Sequence, residues 1–310
     1  MDLRHMRQFV AVAEELHFAR AAKRLNMAQP PLSQAIRRLE DHLGIVLLNR
    51  SRRSVELTDA GRVFLNEARR TLAHAELAQK LARREADKLP EVRVGFIGPA
   101  LYRVLPAFLL RFRTVEPDID VRLFEGNSVE QLQGIGRGDL DLGFIVGTTR
   151  QIEECNSMVV ERASMVAAVP ANWPLARQTS IRLKELAEQP FVLPPGRYVK
   201  EAYYALTIFN RVGVSPRVVQ EVLQTNTALS LVGAEIGCSL TAATAALAEP
   251  RNVAFLEIED EVPRTMDWEL AMIWRSDLIG RPARTFIEVV RSCLCDNPQV
   301  LEATARPRRF

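Results

Sequence analysis

Residues 18–44 read FARAAKRLNMAQPPLSQAIRRLEDHLG and predict two short helices joined by a turn at residues 26–29. On both sides of this turn apolar side chains recur at three- and four-residue spacing, which is the pattern of amphipathic helices. Pro30 and Pro31 suit the first turn of the second helix, because no backbone donor is needed there, and Gly44 suits its end. The stretch therefore predicts a helix pair with a defined turn and a defined end.

The preceding residues, 3–16, have the same periodicity, so three short helices are predicted at the N-terminus. The third helix buries an apolar stripe and leaves a polar, partly basic face. Such a set is typical of a helix-turn-helix whose last helix enters the DNA major groove, and another small helical bundle is the alternative. The polar face and its border consist of Ser33, Gln34, Arg37, Arg38 and Asp41.

Residues 47–57 read LLNRSRRSVEL, in which two apolar flanks enclose a polar tip. This pattern predicts a β-hairpin wing. Its three arginines, Arg50, Arg52 and Arg53, are suited to phosphate contacts or to a narrow minor groove. A solvated run of charge is the alternative interpretation.

A long helix is predicted from its N-cap, Thr58, to residue 89, just before Pro90. Its small and apolar residues recur in strict three-four alternation, the seam of a coiled coil, so we interpret it as a dimerisation helix and domain connector. Packing against the chain's own domain is the alternative. The seam consists of Leu65, Ala68, Leu72, Ala75, Gln79, Ala82, Ala86 and Leu89.

After Pro90 strands alternate with helices, which is βαβ architecture and predicts an α/β domain. The predicted strands are 92–97, 119–124, 142–146, 191–193, 218–222, 253–258 and 268–274. The predicted helices are 106–115, 128–135, 200–212, 225–234 and 282–294. Residues 301–310 are expected to form a basic tail.

Composition argues against catalysis. All four histidines of the 310-residue chain lie within its first 74 residues, so no Ser-His-Asp triad, Cys-His dyad or histidine-bearing metal site is expected in the larger part. A P-loop is also absent, and we expect neither an enzyme nor a metal or cofactor. Residues 1–90 carry 17 basic and 11 acidic side chains, against 24 and 27 in the rest, which indicates an N-terminal module that binds a polyanion.

The cysteine positions and the hydropathy pattern indicate where in the cell the protein acts. Cys155, Cys238, Cys293 and Cys295 fit neither a disulfide scaffold nor a paired metal site, so inert thiols are favoured over a redox sensor that uses Cys155 and Cys238. No apolar run approaches the roughly 18 residues that span a bilayer. The N-terminus has no signal-peptide core, and a cytoplasmic location without membrane contact is expected.

Seven stretches carry a resemblance to a known family. They are LRHMRQFVAVA (3–13), FARAAKRL (18–25), AQPPLS (28–33), LTDAG (57–61), GDLDLG (138–143), WPLA (173–176) and GCSL (237–240). In these stretches, and along essentially its whole length, the chain resembles the LysR-type transcriptional regulators. Within this family, its sequence as a whole most resembles regulators of aromatic-compound degradation.

The resemblance implies an α/β fold with an N-terminal winged helix-turn-helix, a long linker helix and a two-lobed effector domain like a periplasmic binding protein. The implied boundaries are 1–58 for the DNA-binding domain, 59–90 for the linker and 91–300 for the effector domain. Lobe I would comprise residues 91–162 and 266–300, and lobe II residues 163–265. Ligands of this fold bind in the cleft between the lobes.

The resemblance also implies site residues. For DNA these are Gln29, Pro30, Pro31, Ser33, Gln34, Arg37, Arg50, Arg52 and Arg53, with the glutamines suited to base edges and Pro31 and Ser33 to thymine methyls or phosphate. For the effector they are Gly98, Pro99, Ala100, Asn127, Ser128, Val146, Pro195 and Gly196. Exposed backbone donors at helix N-termini favour an anionic effector, such as an aromatic or muconate-like acid.

The leading hypothesis is a sequence-specific DNA-binding transcriptional regulator that a small effector controls. The resemblance implies a homotetramer built as a dimer of dimers, with double-stranded operator DNA as partner and RNA polymerase as a further candidate. The alternatives are an architectural DNA-binding protein and a solute-binding domain that is merely tethered to DNA. Saturable binding of a small molecule and a discrete DNA footprint distinguish the leading hypothesis from both.

Overall fold

The first of two units, Met1–Lys88, contains four helices and a hairpin among its described residues in the computed structural model. The structure describes residues 1–50, 54–87, 90–147, 155–193, 200–260, 268–296 and 302–303. The elements are α1 (Leu3–Glu15), α2 (Phe18–Arg24), α3 (Gln29–Leu43), β1 (Leu48–Arg50), β2 (Val55–Leu57) and α4 (Asp59–Asp87). They lie where the sequence predicts them, except that Gln29 begins α3 and does not belong to the turn.

Local chemistry explains where these helices start and stop. The Asp2 side chain accepts a hydrogen bond from the His5 amide and caps α1. Asn26, in the turn between α2 and α3, has a positive φ of 51°, and Gly44 ends α3 with a φ of 68°. Glycine adopts this left-handed conformation without a steric penalty, so α3 has a sharp end before β1.

The core of this unit joins α1, α3 and the hairpin. Phe9, Leu32, Ile36 and Leu47 have no exposed surface, and the Phe9 ring meets the Phe64 ring of α4 edge-to-face at 5.1 Å between centroids. Because the apolar stripe of α3 faces this core, its opposite face is presented to solvent.

Helix α4 divides into two parts. Leu65 and Ala68, at the start of the predicted seam, are buried, and Leu65 belongs to the core of the first unit. The middle of the seam is different, because Leu72 and Ala75 are only partly buried and Gln79 is exposed. Packing within the chain therefore accounts for the first seam residues, and dimerisation stays a prediction for those that follow.

The second unit, Leu89–Phe310, contains two main sheets, each with its own apolar core, which we call lobe I and lobe II. Lobe I has a six-stranded sheet in the order β14-β6-β13-β5-β3-β4, in which β3 pairs in parallel with β4 and β5, while β13 is antiparallel to β5 and β6. Its strands are β3 (Glu91–Phe96), β4 (Asp120–Glu125), β5 (Leu142–Val146), β6 (Asn156–Ala163), β13 (Trp268–Trp274) and β14 (Glu302–Ala303). Its helices are α5 (Val104–Val115), α6 (Ser128–Gly136) and α10 (Arg281–Asp296).

Lobe II has a four-stranded sheet in the order β11-β7-β12-β8, and a parallel pair, β9 and β10, joins it through a bridge between Phe191 and Cys238. Its strands are β7 (Met165–Pro170), β8 (Ser180–Ile181), β9 (Pro190–Leu193), β10 (Arg217–Glu221), β11 (Ser239–Ala242) and β12 (Val253–Ile258). Its helices are α7 (Leu183–Ala187), α8 (Lys200–Arg211) and α9 (Thr225–Gly233).

One crossover between the lobes lies within the described residues. Strand β6 belongs to lobe I, and after Ser164 the chain continues as β7 of lobe II. Strands β6, β7, β8 and β11 and helix α7 have no counterpart among the predicted elements. The antiparallel pairing of β13 with β5 and β6 also departs from simple βαβ alternation, because it depends on strands more than a hundred residues apart.

Two remaining expectations concern the chain end and membranes. Within the predicted basic tail, the dipeptide Glu302–Ala303 forms β14 and pairs with β6, so these two residues belong to the sheet. Among the described helices, none combines the length and the hydropathy that a bilayer crossing requires.

Candidate DNA and effector sites

The start of α3 presents the residues expected to read DNA. Gln29, Pro30, Pro31 and Gln34 are exposed and Ser33 is half-buried, while Leu32 between them has no exposed surface. Ala28, the N-cap, makes no side-chain hydrogen bond, and the two prolines occupy the first turn. Arg37 is exposed one turn further on. This face therefore offers amide groups, a hydroxyl and a guanidinium at the helix N-terminus, where the helix dipole favours phosphate.

The wing arginine Arg50 is engaged inside the first unit. Its Nη2 atom donates a hydrogen bond of 2.5 Å to Oε2 of Glu40, and its guanidinium carbon lies 5.2 Å from the centroid of the Phe18 ring. The side chain of Arg50 is only 24% exposed. Arg52 and Arg53, expected beside it at the tip, lie outside the described residues.

A second ion-pair cluster joins α1, α2 and α4. Glu14 pairs with Arg24 of α2 at 2.7 Å and with Arg69 of α4 at 2.6 Å. The hydrogen bond from Arg69, followed by the bond and charge of Arg24, lowers the pKa of Glu14. The cluster fixes the first turns of α4 to the helix-turn-helix.

In the second unit, Gly98, Pro99 and Ala100 form a short 3₁₀ helix between β3 and α5 and are all buried. The Ala100 amide already donates to the Ile97 carbonyl at 3.0 Å, and Pro99 has no amide hydrogen. These two residues therefore shape the cleft wall and offer no amide donor. Gly98 differs, because it lies against polar side chains from both lobes.

At the N-terminus of α6, the backbone amides that were expected to be free to bind an anion already have hydrogen-bond partners. The Asn127 side chain accepts hydrogen bonds from the amides of Val129 and Glu130, and the Glu130 carboxylate accepts from the Asn127 amide. The amide of Val146 donates to Ser128 Oγ at 3.2 Å. This capping box corrects the expectation of exposed donors at α6, because a side chain of the helix's own N-cap already satisfies them.

The structure adds four residues at the cleft that the sequence analysis missed. Tyr102 of lobe I donates a 2.5 Å hydrogen bond to Oδ1 of Asn226 in lobe II. A Cβ placed on Gly98 would lie 3.8 Å from Asn226 Nδ2, 3.9 Å from Glu125 Oε1 and 4.0 Å from Gln224 Oε1. The polar run at residues 224–227, which comprises the N-cap and the first residues of α9, was the one sequence signal for this side of the cleft.

Burial sets the chemistry of Tyr102. Desolvation raises the pKa of its phenol to about 12, further above physiological pH than the ordinary value of 10.0, and the neutral hydroxyl donates across the lobes. Pro195 and Gly196, which were expected in the same cleft, lie outside the described residues.

An ion pair between a partly exposed arginine and a buried carboxylate lies next to the crossover between the lobes. Glu161 of β6 has no exposed surface and pairs with Arg103 at 3.1 Å. Burial raises the pKa of Glu161, and the charge and hydrogen bond of Arg103 oppose that shift. One carboxylate oxygen of Glu161, Oε2, has no hydrogen-bond partner. Removal of Arg103 would therefore leave the buried carboxylate without a compensating charge, which makes the pair costly to break.

The cysteines give no sign of a redox pair. Cys238 is fully buried in the core of lobe II, and desolvation raises its pKa to about 12. Cys155 packs at the edge of a different cluster, in lobe I. Because the thiolate is the reactive form, the environment of Cys238 favours the inert-thiol interpretation.

The two units match two family profiles. Residues 3–62 match the bacterial regulatory helix-turn-helix protein of the lysR family, and residues 85–294 match the LysR substrate binding domain. The chain belongs to the LysR family. The family resemblance and the fold class that the sequence predicted are thereby confirmed.

Individual relatives agree with this membership. The HTH-type transcriptional regulator AlsR of Bacillus subtilis (strain 168) is 34% identical over 298 residues, which cover 93% of this chain and 95% of AlsR. The probable cat1 operon transcriptional activator of Acinetobacter lwoffii is 39% identical over 253 residues, which cover 79% of this chain and 82% of the relative.

Solved structures extend the comparison to the whole fold. Full-length BenM aligns with a TM-score of 0.57 and 27% identity over 96% of this chain and 98% of BenM. CbnR, described as a LysR family transcriptional regulator, aligns with a TM-score of 0.58 and 29% identity over 94% of this chain and 99% of CbnR. Full-length CbnR has also been solved with its target DNA. The LysR-type protein described here is accordingly a DNA-binding transcriptional regulator with an effector-binding domain, and not an enzyme.

Proposed function

We propose that this LysR-type regulator reads operator DNA with the exposed N-terminal face of α3. The observation that carries the proposal is the placement of Gln29, Ser33, Gln34 and Arg37 around the first turns of a helix whose other face is fully buried. Glutamine pairs well with adenine edges in the major groove, and an arginine contacts guanine or phosphate. Pro30 and Pro31 contribute the preorganised first turn and an apolar surface. The wing residues Arg52 and Arg53 are proposed as further contacts from their sequence alone.

Selection from a random duplex library supplies the operator, and a nuclease footprint then tests the proposal. Gln34→Ala is expected to relax discrimination at one base pair at a cost of about 1–3 kcal/mol. Arg37→Ala is expected to weaken all sequences alike and to lower the salt dependence by about one counterion if Arg37 contacts phosphate. Only diffuse, salt-labile protection by the unaltered protein would contradict sequence-specific binding.

For the effector, the proposed site is the corner of the cleft around Gly98. Three polar atoms, from Glu125, Gln224 and Asn226, lie near one point beside this glycine and come from both lobes. The carboxylate of Glu125 and the amide oxygen of Gln224 accept hydrogen bonds, while Nδ2 of Asn226 donates. The corner therefore suits a small effector that carries a donor, such as a hydroxyl or an ammonium group, next to an acceptor.

The remaining predicted effector residues keep supporting roles in this proposal. The hydrogen bond from the Val146 amide to Ser128 Oγ joins β5 to the start of α6, and the Asn127 side chain caps that helix. An aromatic or muconate-like acid fits only with its carboxylate directed away from Glu125, because like charges repel.

Thermal unfolding of the full chain against a panel of small hydroxy acids, amino acids, aromatic acids and dicarboxylates tests this site. A ligand that binds only the folded state stabilises it by about 2.7 kcal/mol at a hundred times its Kd. The variant Gly98→Ala is the matched probe, because its added Cβ meets nothing closer than 3.8 Å and leaves the fold intact. It is expected to abolish or sharply reduce the stabilisation, whereas an unchanged response would place the effector elsewhere.

We also propose a homotetramer, built as a dimer of dimers, that acts in the cytoplasm, where promoter DNA and RNA polymerase are found. Half-exposed apolar residues on the edge strands support an interface between effector domains: Leu123 and Phe124 lie on β4, and Val218 and Val219 on β10. The middle of α4 supplies a second surface for pairing. Sedimentation analysis tests this stoichiometry directly.

A further inference from the structure

The carboxylate of Glu40 joins the recognition helix to the wing. Its Oε1 atom accepts hydrogen bonds from the amides of Leu47 at 2.9 Å and Leu48 at 3.1 Å, and its Oε2 atom accepts from Arg50. The Glu40 side chain is only 12% exposed. A single carboxylate on α3 thus holds Leu47, which precedes β1, together with the first and the last residue of that strand.

Arg50 completes a connection between three elements. Beyond its bond to Glu40 of α3, its guanidinium lies over the Phe18 ring of α2. The cation–π contact and the charge-assisted hydrogen bond both fix the planar head group. An arginine held in this way has its charge matched by a carboxylate and is poorly placed to neutralise a phosphate as well.

We propose that Glu40 and Arg50 are positioning residues that set the angle of the wing to the recognition helix, and that Arg50 is not itself a DNA contact. The proposal rests on the proposed DNA-binding function of α3 and the wing. It reassigns Arg50 from the set of residues expected to contact DNA. Operator affinity then depends on the geometry of the Glu40–Arg50 pair and not on the net charge of either residue.

Glu40→Gln tests the pair selectively. The glutamine Oε1 atom can keep both amide bonds, while its NH₂ group faces the Arg50 guanidinium and cannot accept from it. Asp41→Asn is the matched control, since it removes the same charge from the next residue of the same helix, which is exposed. Loss of a negative charge near DNA alone should strengthen binding, because phosphate repulsion falls. For Glu40→Gln, loss of the contact with Arg50 therefore predicts weaker operator binding, whereas loss of the negative charge alone predicts tighter binding.

The expected result is an operator affinity at least about tenfold weaker for Glu40→Gln, against unchanged or tighter binding for Asp41→Asn. Methylation protection in the major groove should persist in Glu40→Gln, while minor-groove protection by the wing is lost. Hydrogen exchange of the free protein should become faster in residues 47–57 for Glu40→Gln only. Hydrogen exchange needs no DNA, so it tests the contact between Glu40 and the wing even if the unaltered protein selects no operator. Failure to select an operator would contradict the proposed DNA-binding function and not this contact.

A double-mutant cycle with Arg50→Met gives the second measurement. Methionine keeps an apolar stem over Phe18 but carries no charge. We expect Arg50→Met to weaken binding at least about fivefold next to Glu40 and to have little effect next to Gln at that position, because the pair acts as one unit. An equal loss in both backgrounds, with the salt dependence falling by about one counterion, would identify Arg50 as a phosphate contact and overturn the proposal. Tight binding by Glu40→Gln with unchanged exchange would overturn it as well.

Discussion

The junction between α4 and the wing is where a single methyl group should do most damage. Gly61 lies in the first turn of α4, and its amide donates to Thr58 Oγ1 at 2.9 Å. A Cβ at this position would lie 2.1 Å from the Leu47 carbonyl oxygen and 3.1 Å from Cδ2 of Leu57. The Leu47 carbonyl cannot move freely, because it accepts hydrogen bonds from the amide and the hydroxyl of Thr58. Gly61→Ala must therefore displace backbone.

The magnitude follows from two opposing terms. Alanine gains about 1 kcal/mol over glycine within a helix, and overpacking of a core costs about 1–3 kcal/mol, with a backbone clash at the upper end. A net loss of about 1–2 kcal/mol is expected. For a unit of 88 residues this lowers the Tm by roughly 4–16 °C. Operator binding should weaken in parallel, since the base of the wing shifts.

The assay uses the uneven placement of tryptophan. Trp173, Trp268 and Trp274 all lie in the second unit, so their fluorescence reports that unit, and far-UV circular dichroism adds the first. Gly136→Ala, at the end of α6, is the control, because no heavy atom lies within 4 Å of its Cβ, and its stability should be unchanged or slightly higher. A Tm for Gly61→Ala at or above that of the unaltered protein would refute the clash.

Three further predictions follow from the charged and thiol groups. Arg69 and Arg24 lower the pKa of Glu14 in the folded state, so ionised Glu14 stabilises the first unit at pH values above its usual pKa of 4.5, and this contribution is lost as the pH falls below that value. In Glu14→Gln, urea titrations should therefore show a smaller loss of stability of the first unit over the same fall in pH. Arg103→Gln should destabilise the second unit by about 3 kcal/mol at pH 7. That loss should shrink towards pH 5, because burial raises the pKa of Glu161 and its protonation removes the uncompensated charge; an equal loss at both pH values in fluorescence-detected unfolding would exclude this cause. Cys295 is exposed and should react with Ellman's reagent in the native protein, whereas Cys238 should react only after denaturation.

The helix-turn-helix was predictable from sequence because its signals are local. Prolines at the start of α3, a glycine at its end and an apolar stripe of three-four spacing all act within one or two turns. Central strands such as β5 and β12 were predictable for the same reason, as short apolar runs. The capping box at Asn127 and Glu130 was also predictable from sequence, since an Asn three residues before a Glu is its signature. Predicting it would have removed the expectation of free backbone donors at the start of α6.

The strands β6 and β7 were missed because their partners are remote in sequence. Strand β6 pairs with β13, more than a hundred residues later, and its register shifts opposite Leu270 and Ala271, which breaks simple alternation. The comparison with family profiles, and not periodicity, established the membership of the chain as a whole.

Residue types, their spacing and the glycine and proline positions were enough to specify the DNA-binding helices, the α/β class of the second unit and the absence of catalytic histidines there. Three-dimensional packing was needed to pair Arg50 with Glu40 and to bring Tyr102 to Asn226, 124 residues away. The physical reason is that helix starts and ends depend on hydrogen bonds within a few residues. Which charge meets which carboxylate, and which side chains from two lobes share one corner, depends on packing between elements that the local sequence does not encode.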